Sequence, residues 1–366
     1  MSAFADLAPL RGRRVLVTGH TGFKGGWLTT WLAALGAEVT GYALAPDTEP
    51  CLFEAARVGE RCRSIEGDVR DRPKLEALVE GLAPEVVFHL AAQPLVRRSY
   101  AEPHETLEVN VMGTVNLLEA LRKARTRAAV VVVTSDKCYE NREWVHGYRE
   151  PDALGGHDVY SASKAACEIA TQSYRRSFFA PERLVEHGVA LATARAGNVI
   201  GGGDWAEARL VPDAVRALAA GEPFVVRNPR SVRPWQHVLE PLGGYLSLAA
   251  RLLGPDAARH CTAYNFGPAA GDACDVAALA DRLVAAWGEG RWTDGSNASA
   301  LHEAGVLRLA IDLAVAELGF RPRWPLEETV RRTVTWYRAF YAGEDVATLT
   351  AAQIEAYGLD AARSVG

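Results

Sequence analysis

The sequence predicts an α/β protein built on a doubly wound parallel sheet, with a smaller C-terminal lobe interleaved with it. Three observations carry this prediction. Short apolar, β-branched runs alternate with amphipathic helical patterns through the first half of the chain. A glycine triplet stands between the first such run and the first helix. After Gly197 the texture changes to Gly, Pro and Arg with few periodic runs. Continuous apolar strands separated by amphipathic helices are what a parallel sheet covered on both faces requires.

The elements follow in order. Residues 13–18 (RRVLVT) read as the first buried strand, 25–35 as a helix and 38–43 as the second strand. Residues 86–91 and 129–134 form two more apolar runs, and 189–195 another. Helical periodicity occupies 72–82, 105–126 and 158–178. Residues 11–197 therefore form the sheet domain, with returns near 237–267. Residues 198–236 and 268–345 form the second lobe, where several tryptophans gather.

Composition narrows the class. With 49% hydrophobic residues among 366, the chain buries a sizeable core, and 23% charged residues argue against disorder. The net charge of -5 and the lack of any Lys/Arg block argue against nucleic acid as the main partner. No apolar stretch reaches the ~18 residues of a membrane span. The opening MSAFADLAPLRGRR has no apolar run of the signal-peptide kind. Cys51, Cys62, Cys138, Cys167, Cys261 and Cys274 are scattered, without a CxxC pair or a histidine at ligand spacing. A reduced, cytoplasmic protein without a metal is expected.

Gly19-His20-Thr21-Gly22-Phe23-Lys24-Gly25 follows the first strand and opens the first helix. The first glycine permits the turn, the second lets backbone approach a pyrophosphate, and the third lets helix pack on sheet. The helix N-terminus adds donors and positive potential. This is a Rossmann-type dinucleotide loop, to which His20 and Lys24 add positive character. Asp68-Val69 follows a short strand and is placed to reach adenine. Leu90-Ala91-Ala92-Gln93 ends the strand at 86–91, where small side chains let backbone lie against a cofactor. At the end of the second strand Ala43 stands where a ribose-binding acid is expected, and Asp47 comes late, so this strand leaves NAD and NADP equally open.

The run TSDKCYEN ends the strand at 129–134 and places Ser135, Asp136 and Lys137 where ligands bind in parallel sheets. Tyr160 and Lys164 stand one helical turn apart. The ammonium is expected to lower the pKa of the phenol, which normally titrates near 10. Tyr160 then takes a proton from a substrate hydroxyl held by Ser135 while a nicotinamide takes the hydride. Asp136 and Lys137 remain for a second act of proton chemistry.

GHTGFKG, HLAAQ, TSDKCYEN, YSASK, ARAGNVIGGGDW and RPWQHV together resemble the extended short-chain dehydrogenase/reductase superfamily. More narrowly they resemble its CDP-D-glucose 4,6-dehydratase family, from about Gly12 to the region of Trp336. Related nucleotide-sugar dehydratases usually carry glutamate at the position of Lys137; the lysine matches the CDP-glucose branch.

The resemblance implies NAD as cofactor, with Tyr160 and Lys164 also contacting it. It implies a lyase that turns CDP-D-glucose into CDP-4-keto-6-deoxy-D-glucose without net redox change, for deoxysugar synthesis. Asp136 is then the general acid at the C6 hydroxyl, its pKa raised by burial or carboxylate neighbours. Lys137 acts at C5, either as base or as a fixed charge stabilising the enolate. Asn198 and Ser135 contact the substrate, and Arg209 and Arg233 hold the nucleotide and its diphosphate, for which arginine's planar fork is suited. The family forms homodimers through a four-helix bundle, for which 105–126 and 158–178 are long enough. A 4-epimerase needs Ser, Tyr and Lys without a second acid/base pair, so Asp136-Lys137 favours dehydration. Arg195 is expected to face the same crevice. Arg227 and Arg230 are as readily solvated as functional, and Trp205, Trp235, Trp292 and Trp324 are assigned mostly to packing. His302-Glu303 is not taken as a site.

Overall fold

The computed structural model describes residues 4–269, 273–296 and 305–363. Strands β1 (Arg14–Thr18), β2 (Glu38–Ala43), β3 (Arg63–Glu66), β4 (Val86–His89), β5 (Ala128–Val133), β6 (Val189–Ala196) and β7 (Ala263–Phe266) form one seven-stranded sheet. Their order is β7-β6-β5-β4-β1-β2-β3, and every pairing is parallel. The period of two along each strand divides the core. Val15, Val17, Phe88 and Val131 face one layer with Trp27, Trp31 and Leu242. Leu16, Val87, Val130 and Val132 face the other with Leu75, Val79, Leu117 and Leu121. All eight residues of β6 are buried, Thr193 and Arg195 included, which is why the run has no alternating solvent-facing polar residues.

Among the described residues the longer helices are α1 (Phe23–Ala34), α2 (Arg72–Leu82), α3 (Gly113–Ala124), α4 (Val159–Ser177), α5 (Leu210–Ala219), α6 (Leu239–Leu252), α7 (Val276–Trp287), α8 (Leu326–Tyr341) and α9 (Val346–Arg363). Side-chain caps set three starts, one of them at α7, where Asp275 accepts from the Ala278 amide at 2.7 Å. Asp71 accepts from the Lys74 amide at 3.1 Å, and Asp158 accepts from the Ser161 amide at 2.9 Å. No helix among the described residues is long and apolar enough to cross a membrane.

Two features depart from the sequence expectation. The helix expected over 105–126 is interrupted by a wide π turn at Glu108–Met112. There the Asn110 side chain accepts from the Gln93 amide (2.8 Å) and donates to the Gln93 carbonyl (3.1 Å) and Ser163 Oγ (2.8 Å). These tertiary bonds have no trace in helical periodicity. Helix α9 lies beyond the range assigned to the second lobe and returns to α1, with Tyr357 edge-on to Trp31 at 5.6 Å between ring centroids. In the second lobe Trp205 packs among Trp336, Tyr337 and Phe340. Trp235 and Trp324 are buried, and Trp292 donates to Asp281 at 2.8 Å. His302-Glu303 lies outside the described residues.

Strand order reverses between β1 and β4. Crevices that open above the carboxyl ends of strands at such a reversal are where α/β sheets bind ligands.

Candidate active site

The glycine loop is shaped by three different constraints. Gly19 has φ +79°, and a Cβ there would lie 2.7 Å from the Ala91 nitrogen. A Cβ on Gly25 would come within 2.0 Å of the Gly19 carbonyl oxygen. Gly22 differs, since its Cβ would meet only that oxygen, at 3.5 Å. Gly22 therefore faces open space, and α1 starts there without a side-chain cap. Its first amides are left for an external acceptor. A pyrophosphate fits this cradle. Thr21 fastens the loop by donating to the Leu44 carbonyl at 2.9 Å, and Phe23 lies against the position of Gly201.

His20 does not supply the positive charge expected of it. Burial pushes its pKa down to about 4, its Nε2 bonds Ser64 Oγ at 2.7 Å, and its ring fills the space that a side chain at Gly41 would take. Lys24 is brought down to about 8 by burial, with Arg209 and Lys164 acting the same way and Asp136 and Asp204 opposing. Its charge thus lies among the catalytic candidates.

The remaining cofactor candidates line the same side. Asp68 Oδ1 accepts from the Arg70 amide at 2.8 Å, and Oδ2 pairs with the Arg70 guanidinium at 2.5 Å. Burial would raise this carboxyl, but Arg70 holds it below the usual range. Val69 is buried against Gly113. Leu90, Ala91 and Ala92 are half-buried beyond β4, while Gln93 spends its side chain on Thr106 and the Leu95 amide. At the end of β2 Ala43 is buried and Leu44 is exposed.

Ser135 leaves β5 in extended conformation and caps the short turn Asp136–Cys138, accepting from the Lys137 amide at 3.2 Å. Its hydroxyl donates to Asp136 Oδ1 at 3.1 Å. Tyr160 enters from α4. The lowering expected from Lys164 is not found. Burial pushes the phenol up to about 12, the Ser135 hydroxyl and Arg209 pull it down, and Asp136 pushes it further up. Lys164 instead reaches the end of β5 and donates to the Val133 carbonyl at 3.4 Å. Spacing of four places both residues on one helix face, but a four-carbon stem lets the ammonium reach past the phenol. Burial also lowers the pKa of Lys164, against Cys167, Glu168 and Cys138.

Asp136 is buried, and burial raises its pKa against the pull of Lys137, the Ser135 hydrogen bond, Arg233 and Lys24. Oδ2 has no hydrogen-bond partner among the described residues. Gly197 makes room for it, since a Cβ there would lie 3.0 Å from Oδ2 and 2.6 Å from Pro234 Cγ. Burial thus moves this carboxyl in the direction the sequence reading expected of a general acid.

The second lobe contributes two arginines. Arg209 precedes α5 and pairs with Asp204 Oδ2 at 2.9 Å, close enough to Tyr160 to act on its charge. Arg233 is buried, donates to the Val232 and Gly305 carbonyls, and acts on Asp136. Asn198 is half-buried and accepts from the Gln236 amide at 3.0 Å. Arg227 bonds the Ala208 carbonyl at 2.8 Å and nears Asp213, and Arg230 is exposed near Asp294. Arg195, expected to face the crevice, lies beneath it in a buried pair with Glu168 at 2.8 Å. Glu168, Asp204 and Asn110 were not anticipated. Glu168 stands four residues after Lys164 on the same helix face, a signal the sequence did contain.

The family model for the NAD dependent epimerase/dehydratase family matches residues 15–260. CDP-glucose 4,6-dehydratase of Salmonella typhimurium is 50% identical over 349 residues, covering 95% of this chain and 96% of that protein. dTDP-glucose 4,6-dehydratase of Streptomyces griseus is 28% identical over 334 residues, 88% of this chain and 93% of that protein. Among solved structures, DesIV, a dTDP-glucose 4,6-dehydratase from Streptomyces venezuelae with NAD and TYD bound, superposes with TM-score 0.76 at 24% identity, covering 91% of this chain and 99% of that one. The glycine cradle, the parallel sheet and the match over most of its length establish that this chain belongs to the NAD-dependent epimerase/dehydratase family.

Proposed function

We propose that the protein is an NAD-dependent lyase that dehydrates CDP-D-glucose to CDP-4-keto-6-deoxy-D-glucose. The observation that carries this is 50% identity over 95% of the chain to a CDP-glucose 4,6-dehydratase. The buried Ser135-Asp136 pair beside Tyr160 supports it chemically.

Bound NAD supplies a reversible hydride acceptor, so that the hydride removed at C4 returns at C6 and no net oxidation results. Ser135 orients the 4-hydroxyl, and Tyr160 takes its proton. Once C4 is a ketone, the C5 hydrogen is acidified. Asp136, whose pKa burial raises, donates as an acid to the departing C6 hydroxyl, which leaves as water. Lys137 serves C5, either as the base that takes its proton and returns it once C6 is reduced, or as the charge beside the enolate while that proton leaves and returns. Arg209 and Arg233 hold the diphosphate, Asn198 the sugar side, and the loop Gly19–Gly25 the cofactor, with Asp68 and Val69 toward its adenine.

Leu107, Met112, Ile169 and Phe178 are exposed by 44%, 50%, 56% and 48% on the segments around α3 and α4. We assign this apolar face to a homodimer contact, since patches of this kind on a monomer mark interfaces. Cytoplasmic location is part of the same proposal.

The test is incubation of the purified protein with NAD and CDP-glucose, with UDP-, dTDP- and GDP-glucose in parallel. Products are followed by the alkali-induced absorbance of 4-keto-6-deoxy sugars and by mass. Turnover of CDP-glucose with loss of water is expected. Dehydration of another nucleotide sugar alone overturns the base assignment, and an epimer as product overturns the reaction.

A further inference from the structure

Glu168 takes no part in the chemistry above, yet its carboxylate collects donors from two strands. Thr134 donates to Oε1 at 2.5 Å, Thr193 to Oε2 at 2.8 Å, and Arg195 Nη2 to Oε2 at 2.8 Å. The ion pair is sealed, with Arg195 and Glu168 side chains 4% and 3% exposed. Arg195 extends the network. Its Nη1 donates to the Tyr139 hydroxyl at 2.8 Å and to the Glu150 carbonyl at 3.0 Å. Its guanidinium carbon lies 4.9 Å from the Tyr139 ring centroid. Tyr139 in turn donates to Asn265 Oδ1 at 2.7 Å.

The positions of these partners matter more than their number. Thr134 immediately precedes Ser135. Tyr139 immediately follows the Asp136–Cys138 turn. The segment bearing Ser135, Asp136 and Lys137 is thus held at both flanks by one carboxylate, directly and through Arg195. That carboxylate rides on α4, which carries Tyr160 and Lys164.

We propose that Glu168 is a positioning residue that sets α4, with Tyr160 and Lys164, against the segment carrying Ser135, Asp136 and Lys137. This rests on the dehydratase reading of those five residues. The physical case is one of direction. A buried ion pair repays little of its desolvation, so apolar side chains of the same volume often serve stability as well. They do not fix register. Charge-assisted hydrogen bonds from a hydroxyl and a guanidinium do, because they weaken steeply with distance and angle. Two proton-transfer sets that serve adjacent sugar carbons need that register, for a misplacement of about 1 Å costs up to about a hundredfold in rate.

The test compares Thr134→Val, which removes one donor and leaves the ion pair, with Thr134→Ser, which keeps the hydroxyl. Glu168→Gln is the third variant. Steady-state rates are measured at saturating NAD over a range of nucleotide-sugar concentrations, per NAD-binding site. The expected result is a kcat about tenfold lower or more for Thr134→Val, with the sugar-nucleotide KM changed less than about twofold, and near-parental kcat for Thr134→Ser. Glu168→Gln is expected to lose at least as much kcat as Thr134→Val. A purely structural role would lower melting temperature without this split or this rescue. Equal kcat in the Val and Ser variants overturns the proposal, as does parental kcat in Glu168→Gln. A parent that turns over no nucleotide sugar overturns the dehydratase reading and the proposal with it, so the two failures are told apart by the parent.

Discussion

The Tyr357 hydroxyl donates to Glu240 Oε2 at 2.7 Å, tying α9 to α6 across 117 residues of sequence. Oε1 of the same carboxyl accepts the amides of Arg323 (3.0 Å) and Trp324 (2.7 Å). Arg323 closes the circle by donating to the Tyr357 carbonyl at 2.9 Å, with its guanidinium carbon 4.4 Å from the Tyr357 ring centroid. One buried acid thus joins the sheet domain's helix, the approach to α8 and the C-terminal helix.

This acid makes stability depend on pH. Burial raises Glu240 from 4.5 to about 7, against the hydrogen bonds that favour its anion. Between those values the folded chain holds a proton that the unfolded chain has released. The stability it contributes is therefore full below about 4.5 and is lost as pH rises through about 7. Glu240→Gln keeps an acceptor for both amides and removes the proton. Melting temperatures of parent and variant, recorded from about pH 5 to about 8, are expected to diverge, with the parent falling relative to the variant. Parallel curves would contradict this.

The glycine loop yields a paired prediction. Gly25→Ala puts a methyl 2.0 Å from the Gly19 oxygen and is expected to lower the melting temperature of the cofactor-free protein, by the equivalent of about 1–3 kcal/mol or more. Gly22→Ala meets only an ordinary neighbour at 3.5 Å. It is expected to leave melting unchanged and to weaken NAD binding about tenfold, which corresponds to roughly 1.4 kcal/mol of binding free energy. Calorimetric titration with NAD distinguishes the two.

Tyr160→Phe retains the ring and removes the proton acceptor. Activity is expected to fall about 10²–10⁴-fold. The phenol's pKa of about 12 comes from burial, so the variant loses no charged group in the resting protein and should melt at or above the parental temperature. Thermal melting with turnover assays in parallel checks both halves.

Asp136→Asn is expected to separate the two proton-transfer acts. Oxidation at C4 relies on Ser135 and Tyr160 and should still deliver a reduced nicotinamide absorbance on adding CDP-glucose. Loss of water should stop, with no alkali-sensitive product. Because burial raises the pKa of Asp136 and the acid form is the active one, parental dehydration should decline as pH rises through that pKa. Stopped-flow absorbance across pH is the measurement, and an unchanged dehydration rate in the variant would remove Asp136 from the mechanism.

Met112→Glu combined with Ile169→Glu places charge on the exposed apolar face. Sedimentation velocity is expected to show a dimer for the parent and a monomer for the double variant. Identical profiles would place any dimer contact elsewhere.

Strand runs such as 189–195 and the glycine spacing at 19–25 were legible because they rest on local periodicity and on backbone geometry that only certain residues satisfy. TSDK and YxxxK were legible as candidate chemistry for the same reason, as residue types at short spacing. Charge states were not. His20 was expected to be cationic and is neutral because Ser64 and Gly41 enclose it, and Lys164 was expected beside the phenol yet bonds the Val133 carbonyl.

The sequence by itself determined the sheet, the dinucleotide loop and the residue types of the site, since each is written in neighbours within a turn or a strand. Only the tertiary structure decided which of those residues are charged and what holds them. Desolvation depends on what covers a group, and at Glu168, Glu240 and Asp136 the covering or binding atoms come from segments far away along the chain.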